Sequence, residues 1–185
     1  MPAIEIRRPR TEDREELNQF FSKVIKHTFY KEGLEELLND IENEIEYKNQ
    51  YLKSDLDTNG VNRYFLIALD KKNALIIGTV EYGPASELIT TCTDGAIKEM
   101  YEVGTVFVHP DYQGRGVGTL LLNVMFLTLL NKGIEEFCLD SGYANAQKIW
   151  KRKFGEPHYW LKDYWSDGAD HMIWKKSLKD MPIIF

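Results

Sequence analysis

The 185-residue sequence has little cysteine and no long apolar run. Its two cysteines, Cys92 and Cys138, are far apart, which excludes a disulfide-rich scaffold and a cysteine metal site, although one disulfide between them stays open. The longest apolar segment, residues 120–130, contains Asn123 and Thr128 and is shorter than the roughly 20 residues of a membrane span. The N-terminus lacks the apolar core of a secretion signal. We therefore expect a cytoplasmic protein with no membrane partner and no bound metal.

Basic residues are outnumbered by acidic ones. The chain has 23 Lys and Arg against 29 Asp and Glu, a formal net charge of −6. A general nucleic-acid binder normally carries a basic surface, so we expect no nucleic-acid partner. Hydrophobic residues make up 43% and charged residues 28% of the chain, as in ordinary globular proteins. Neither a repeat nor a linker divides the sequence, which predicts one domain over residues 1–185.

The hydrophobic patterns alternate between strand and helix periods, which predicts an α/β (α+β) fold. A short strand at Ile4 and Ile6 precedes the first helix, and a polar, Ser/Thr-rich stretch at 83–97 predicts an exposed loop between strands. Further strands are predicted at 63–69, 74–82, 100–108, 137–139, 159–164 and 172–175, and helices at 12–30, 117–130 and 144–153.

A second helix is predicted after Gly33, with an apolar stripe formed by Leu34, Leu37, Leu38, Ile41 and Ile45. We interpret the acidic residues between 35 and 46 as its solvated face, with an acidic wall for a cationic substrate as the alternative. The aromatic residues of the closing strands predict core and cross-strand packing, with a cation-binding cage as the alternative. These residues include Tyr159, Trp160, Tyr164, Trp165 and Trp174.

The segment that indicates chemistry is a glycine-rich turn between a buried strand and an apolar helix. Gly114, Gly116 and Gly118 allow close backbone approach and positive φ, and Arg115 adds a fork of donors. The helix that follows contributes free N–H groups and a positive dipole end, so we expect a phosphate or pyrophosphate site. The turn does not match the dinucleotide-binding fingerprint, because Thr119 stands where the third glycine is needed. It does not match a P-loop either, because no Gly-Lys-Ser/Thr is present.

The stretch from Val108-His109-Pro110 through Gln113-Gly114-Arg115-Gly116-Val117-Gly118 to Leu121 closely resembles motif A of the GCN5-related N-acetyltransferases. The later stretch Ala146-Gln147-Lys148-Ile149-Trp150 resembles motif B of that family, and the element order is also similar. The resemblance implies a single domain with a mixed, mostly antiparallel sheet of about six to seven strands flanked by helices. It also implies acetyl-CoA as the acyl donor.

The resemblance further implies which residues bind the donor. The amides of the glycine turn would hold the pyrophosphate, and the backbone of the preceding strand would hold the pantetheine arm. A backbone N–H near Val108, on a strand distorted by a bulge, would stabilise the oxyanion. The donor-site candidates are Phe107, Val108, Gln113, Gly114, Arg115, Gly116, Val117, Gly118, Thr119 and Asn145.

For the base that takes the amine proton we favour Glu102 over Glu99, with a water chain as an alternative. We interpret His109 as a turn residue. The family's usual acid is a tyrosine in the last helix, but Trp150 stands at that position, and an indole cannot protonate a thiolate. Tyr143 is the nearest substitute, ahead of Tyr164, and water is a further alternative.

The sequence therefore predicts an N-acetyltransferase that transfers acetyl from acetyl-CoA to a primary amine of a small molecule or peptide. A catalytically weak acyl-CoA-binding or sensing module and a nucleotide-phosphate binder stay open as alternatives. The acceptor cannot be identified from the sequence, because the family varies in the loops that we place at 30–60 and 83–98. The oligomeric state also stays open, a homodimer included.

Overall fold

The computed structural model describes residues 3–183, which form one seven-stranded sheet and five α-helices. The strand order is β1-β2-β3-β4-β5-β7-β6. The strands are β1 (Ile4–Arg7), β2 (Tyr64–Asp70), β3 (Leu75–Pro84), β4 (Tyr101–Val108), β5 (Glu136–Ser141), β6 (Tyr159–Ser166) and β7 (Ala169–Ser177). The helices are α1 (Arg14–Glu32), α2 (Leu38–Thr58), α3 (Glu87–Cys92), α4 (Val117–Asn131) and α5 (Ala144–Phe154).

The recorded strand pairs are antiparallel except for β4 with β5, which confirms the expected mixed, mostly antiparallel α/β sheet flanked by helices. The parallel pairing of β4 and β5 covers Tyr101–Phe137 and Glu102–Cys138. Among residues 3–183, no helix is both long and apolar enough to cross a membrane.

The chain divides into two compact units, each with its own apolar core. The first contains the described residues up to Tyr82, together with Thr105–Thr128 and Ile183. In its core the Phe21 ring of α1 meets Phe65 at 6.1 Å and Phe107 at 6.2 Å, measured between ring centroids. Burial of such large aromatic side chains, together with the aliphatic side chains around them, stabilises this unit.

The second unit contains Gly83–Gly104 and Leu129–Pro182. Ile89, Ile97, Cys138 and Ile173 form a buried cluster in it, and Trp174 of β7 is fully buried. The division neither supports nor contradicts a single functional domain over residues 1–185, so that expectation stays a prediction.

Two expectations for the connecting segments are wrong. Helix α2 continues to Thr58 and begins only at Leu38, so Leu34 and Leu37 precede it and cannot share its apolar face. Leu37 and Leu38 are exposed, and of the predicted stripe only Ile41 is fully buried. Most of the region that we placed in loops at 30–60 is therefore helical.

The stretch at 83–97 is not a wholly exposed loop. It contains α3, whose first turn is capped by the Ser86 side chain, which accepts a hydrogen bond from the N–H of Ile89. Ile89 and Ile97 are buried in the core of the second unit. The hydroxyl of Thr93 donates to the carbonyl of Ile89 at 2.9 Å, so a Ser/Thr-rich composition here serves helix capping rather than solvation.

Candidate active site

The glycine turn lies where the sequence predicts it, between β4 and α4 in the first unit. Residues 113–116 are exposed, and α4 begins at Val117. Gly114 and Gly116 have φ of 73° and 84°, and a Cβ added to either would meet no atom within 4 Å. The glycines at 114 and 116 are thus required by backbone conformation, and ligand atoms can approach their backbone closely. Gly118 lies inside α4 and has no positive φ, which corrects our expectation for that residue.

Side chains on both sides fix the turn in place. The amide of Gln113 donates to the carbonyl of Val108 at 3.2 Å, while its oxygen accepts from Lys31 of α1 at 3.2 Å. Tyr112 donates its hydroxyl proton to Asp70 at 2.7 Å, and the Arg115 guanidinium lies 5.4 Å from the centre of the Tyr112 ring. The turn is therefore preorganised, with Arg115 exposed at its surface.

His109 is a turn residue, as the sequence indicates. Its ring is buried, and its Nδ1 accepts a hydrogen bond from the N–H of Asp111 at 3.2 Å. Nε2 lies 2.8 Å from Nζ of Lys23. Burial, and then the Lys23 charge, lower the pKa of His109, which keeps the ring neutral at physiological pH.

Strand β4 is distorted at Thr105, which has φ of 49° although it is β-branched. Such a backbone is strained, at a cost of about 1–3 kcal/mol, and needs support from its surroundings. Two side chains of β3 provide it: the hydroxyl of Thr79 donates to the Thr105 carbonyl at 2.9 Å, and Glu81 accepts from the Thr105 hydroxyl at 3.3 Å. This distortion of β4 lies three residues before Val108, and the bulge that the family resemblance implies stays a prediction.

Glu81, which supports Thr105, is a buried carboxylate at 1% exposure. Arg63 donates to it at 2.9 Å, and the Arg63 guanidinium lies 3.4 Å from the centre of the Tyr51 ring of α2. Desolvation raises the pKa of Glu81, while the charges of Arg63 and Lys48 oppose that shift. The sequence does not predict this cluster, because its members come from α2, from the residue before β2, and from β3 and β4, and share no motif.

Glu102 belongs to the second unit and is half-buried. Its Oε2 accepts a hydrogen bond from the N–H of Ser86 at 2.7 Å, so the carboxylate is held at the start of α3. Glu99 is exposed in the turn before β4, as expected for a surface carboxylate.

Tyr143 and Asn145 lie at the start of α5, also in the second unit. Tyr143 is half-buried at the N-cap position, where its N–H donates to the Ser141 hydroxyl at 3.1 Å. Asn145 is exposed in the first turn. Trp150 stacks on Phe154 with 5.6 Å between ring centroids, so its ring serves packing.

Some aromatic residues of β6 and β7 pack in the core, as the first interpretation expects, and others are exposed. Trp174 is buried and Tyr159 packs on the core cluster, whereas Trp160, Tyr164 and Trp165 are exposed. Two cations near the Trp160 ring are the chain's own Lys151 and Lys162, at 3.9 and 5.8 Å from the ring centre.

The cysteines and acidic residues of the described part of the chain form no metal site. No group of three His, Cys, Asp or Glu side chains in residues 3–183 could hold a metal ion. Cys92 and Cys138 are both free, and burial raises the pKa of Cys138 to about 12, which keeps its thiol protonated and unreactive.

A model of the acetyltransferase (GNAT) family matches residues 28–156, which are 129 of the 185 residues. The chain therefore belongs to the GNAT family of acetyltransferases, as motif A indicates. No curated protein matches the chain.

Solved structures share its fold. The PaiA N-acetyltransferase of Thermoplasma acidophilum, in complex with coenzyme A, is 21% identical with a TM-score of 0.66, and covers 95% of this chain and 99% of its own. The ribosomal-protein-alanine N-acetyltransferase of Brucella melitensis is 21% identical with a TM-score of 0.66, and the match covers 94% of this chain and 99% of that one. YncA of Salmonella typhimurium, with its cofactor acetyl-CoA, is 14% identical with a TM-score of 0.65, and the match covers 99% of this chain and 98% of that one.

Proposed function

We propose that the chain transfers an acetyl group from acetyl-CoA to a primary amine of a small molecule or peptide, by direct attack in a ternary complex. The observation that carries this proposal is the exposed turn at 113–116, with positive φ at Gly114 and Gly116, at the N-terminus of α4 in a chain of the GNAT family. Backbone N–H groups at such a turn favour the pyrophosphate of coenzyme A.

The residues of this turn fit the donor. Gln113, Gly114, Arg115, Gly116, Val117, Gly118 and Thr119 would hold the pyrophosphate, and the backbone of Phe107 and Val108 the pantetheine arm. The Val108 carbonyl accepts a hydrogen bond from the Gln113 side chain, which links the end of β4 to the glycine turn. Asn145, exposed in α5, is proposed as a further contact to the arm.

Acetyl transfer requires a neutral amine. An alkylamine has a pKa near 10.4, so its deprotonation at pH 7 costs roughly 4.6 kcal/mol. We propose Glu102 as the proton acceptor, because it is a half-buried carboxylate with one oxygen held by Ser86. The amine nitrogen then bonds to the thioester carbon, the carbon–sulfur bond breaks, and the thiolate of coenzyme A leaves.

The departing thiolate needs a proton. Trp150 has none to give, since it packs on Phe154 and an indole N–H is not acidic enough. We propose Tyr143, which stands half-buried at the start of the same helix, as the donor. A free thiol has a pKa of about 8.5, so water can also serve.

A thiol-release assay tests this proposal. The purified protein is mixed with acetyl-CoA and a panel of amines, free thiol is followed, and the product is identified by its acetyl mass increment. We expect thiol release that depends on one class of primary amine. Tight coenzyme A binding with no release above background for any amine would instead support a sensing module, which the Trp150 packing favours. Stronger protection against heating by ATP or NAD than by coenzyme A would identify a nucleotide binder.

A further inference from the structure

Two aromatic rings of the second unit are exposed and yet held in place. Tyr164 and Trp165 follow each other in β6, and their ring centroids lie 4.9 Å apart at an interplanar angle of 83°. The backbone bends just before them, at Asp163, which has φ of 53° and accepts from the N–H of Gly168 at 2.7 Å. The N–H of Asp163 donates to Asp170 at 2.9 Å, so the end of the hairpin is fixed by its own side chains.

The Trp165 indole is anchored by a buried histidine. Its Nε1 donates to Nδ1 of His171 at 3.4 Å, and the histidine ring lies 5.5 Å from that of Tyr164. His171 is 1% exposed, whereas Trp165 is 55% exposed. Gly142 leaves room for the indole, because a Cβ at that position would lie 2.6 Å from Nε1 of Trp165. The polar edge of Trp165 is therefore held inside the unit, while a large part of the ring stays accessible.

Trp160, the other exposed tryptophan of β6, is in a different situation. Its ring lies 3.9 Å from the ammonium of Lys151 and 5.8 Å from that of Lys162. Within residues 3–183, neither Tyr164 nor Trp165 has a lysine or arginine over its ring. These two residues therefore offer a ring surface that the chain's own cations do not cover.

Tyr164 connects this surface to the proposed site of proton transfer. Its side chain is hydrogen-bonded to Cys92, the last residue of α3, and Glu102 accepts from the N–H of Ser86 at the start of the same helix. An α-helix rises by about 1.5 Å per residue, so the six residues of α3 span about 9 Å. An amine at Glu102 that carries an aromatic ring on a short chain therefore spans most of the distance to Tyr164.

The same region carries negative charge. Burial raises the pKa of Cys138, and the charges of Glu102 and Asp140 raise it further, so two carboxylates lie near one buried thiol. Oδ2 of Asp140 also lies 3.1 Å from Nε2 of His171, a buried atom that has no hydrogen-bond partner among the described residues. Buried polar atoms normally have such a partner. The cluster is therefore acidic, incompletely paired and continuous with the histidine that anchors Trp165.

We propose that Tyr164 and Trp165 bind an aromatic ring of the acceptor, so that the substrate is an arylalkylamine whose ammonium group is attracted to Glu102 and Asp140. This inference rests on the proposed acetyl transfer. Aromatic rings prefer edge-to-face or offset contact with other rings, which an aliphatic group of the same size cannot make. Because the two rings are already anchored, little conformational freedom is lost when the substrate binds.

A matched pair of acceptors tests this inference. 2-Phenylethylamine and 2-cyclohexylethylamine share the amine and the chain and differ in aromaticity, and they are compared by thiol release at saturating acetyl-CoA. We expect the wild type to prefer 2-phenylethylamine by about tenfold in kcat/KM. Trp165→Leu should raise KM for 2-phenylethylamine about tenfold at nearly unchanged kcat, abolish most of the preference, and leave coenzyme A affinity unchanged. Trp165→Phe should keep part of the preference.

Trp160→Leu is the control, because it removes an exposed tryptophan of the same strand whose N–H is also bonded, to Asp170 at 2.6 Å. It should keep the preference of the wild type. Equal activity on the two amines, or a preference unchanged by Trp165→Leu, would overturn the inference while acetyl transfer stands. Weaker coenzyme A binding by Trp165→Leu would also overturn it, because the indole would then serve the donor. Absence of thiol release with every amine would instead contradict the proposed function.

Discussion

The proton acceptor is the residue on which the proposed chemistry depends most. Glu102→Gln keeps an oxygen that can accept from the Ser86 N–H, so the start of α3 should stay intact, but an amide cannot take a proton. We expect kcat to fall by about 10²- to 10⁴-fold with coenzyme A affinity unchanged, measured by thiol release and calorimetry. Glu99→Gln, which alters an exposed carboxylate three residues earlier, is the control. An unaltered rate and pH profile in Glu102→Gln would exclude Glu102 from the mechanism.

A second prediction at residue scale concerns the stability of the first unit. Arg7 donates to both carboxylate oxygens of Asp13, at 2.6 and 2.9 Å, which lowers the pKa of Asp13. A lowered carboxyl pKa stabilises the fold above the unfolded value of about 3.9, and that contribution is lost as the pH falls through the folded pKa.

Asp13→Asn should therefore cost about 1–3 kcal/mol of the free energy of unfolding at pH 7. The difference from wild type should shrink below about pH 4, in denaturant titrations at several pH values. Glu12→Gln, at a neighbouring exposed carboxylate, should show little change at any pH. A gap between Asp13→Asn and wild type that stays constant down to pH 2 would contradict this assignment.

At the scale of elements, β3 must approach α4 and β4 closely, and Gly78 permits this. A Cβ at position 78 would lie 2.8 Å from Cδ1 of Leu121 and 3.1 Å from the carbonyl oxygen of Phe107. Gly78→Ala should therefore cost about 1–3 kcal/mol in the free energy of unfolding, measured in denaturant.

Gly118→Ala offers a comparison within the same region. Its Cβ would lie 3.5 Å from Cγ2 of Val108, an ordinary contact, and alanine favours a helix over glycine. We expect this variant to be at least as stable as the wild type. A Gly78→Ala protein of unchanged stability would show that the approach of β3 is not tight.

The elements with strong periodicity were predictable from sequence, and those held by tertiary contacts were not. Helix α1 and the β2–β3 hairpin have regular apolar spacing and were predicted to within a few residues. The second half of α2 has few apolar residues. It is placed by Asp55, which accepts from Arg8 at 2.8 Å and from the Phe65 N–H at 2.5 Å, and no local pattern indicates such partners.

The same distinction applies to the site. The glycine turn is a local motif, so the sequence predicts it. The support of Thr105 by Thr79 and Glu81 joins two strands, and its signal is a buried acid within a mostly apolar strand, at Glu81 in β3. A charged residue in such a position indicates a polar partner that the sequence does not name.

At the scale of the whole molecule, the net charge of −6 does not describe the proposed site. The anionic donor would be bound by local backbone amides and Arg115. In the proposed site, local electrostatics rather than the total charge of the chain would therefore govern the binding of the anionic donor.

The central claim, that the glycine turn binds the donor, is tested most directly by the affinity for coenzyme A measured by calorimetry. Gly116→Asp places a carboxylate beside the proposed pyrophosphate, whereas Gly133→Asp makes the same change at an exposed glycine with similar φ, 75° against 84°. We predict at least a hundredfold loss of affinity in Gly116→Asp and wild-type affinity in Gly133→Asp. Unchanged affinity in a folded Gly116→Asp protein would contradict the account.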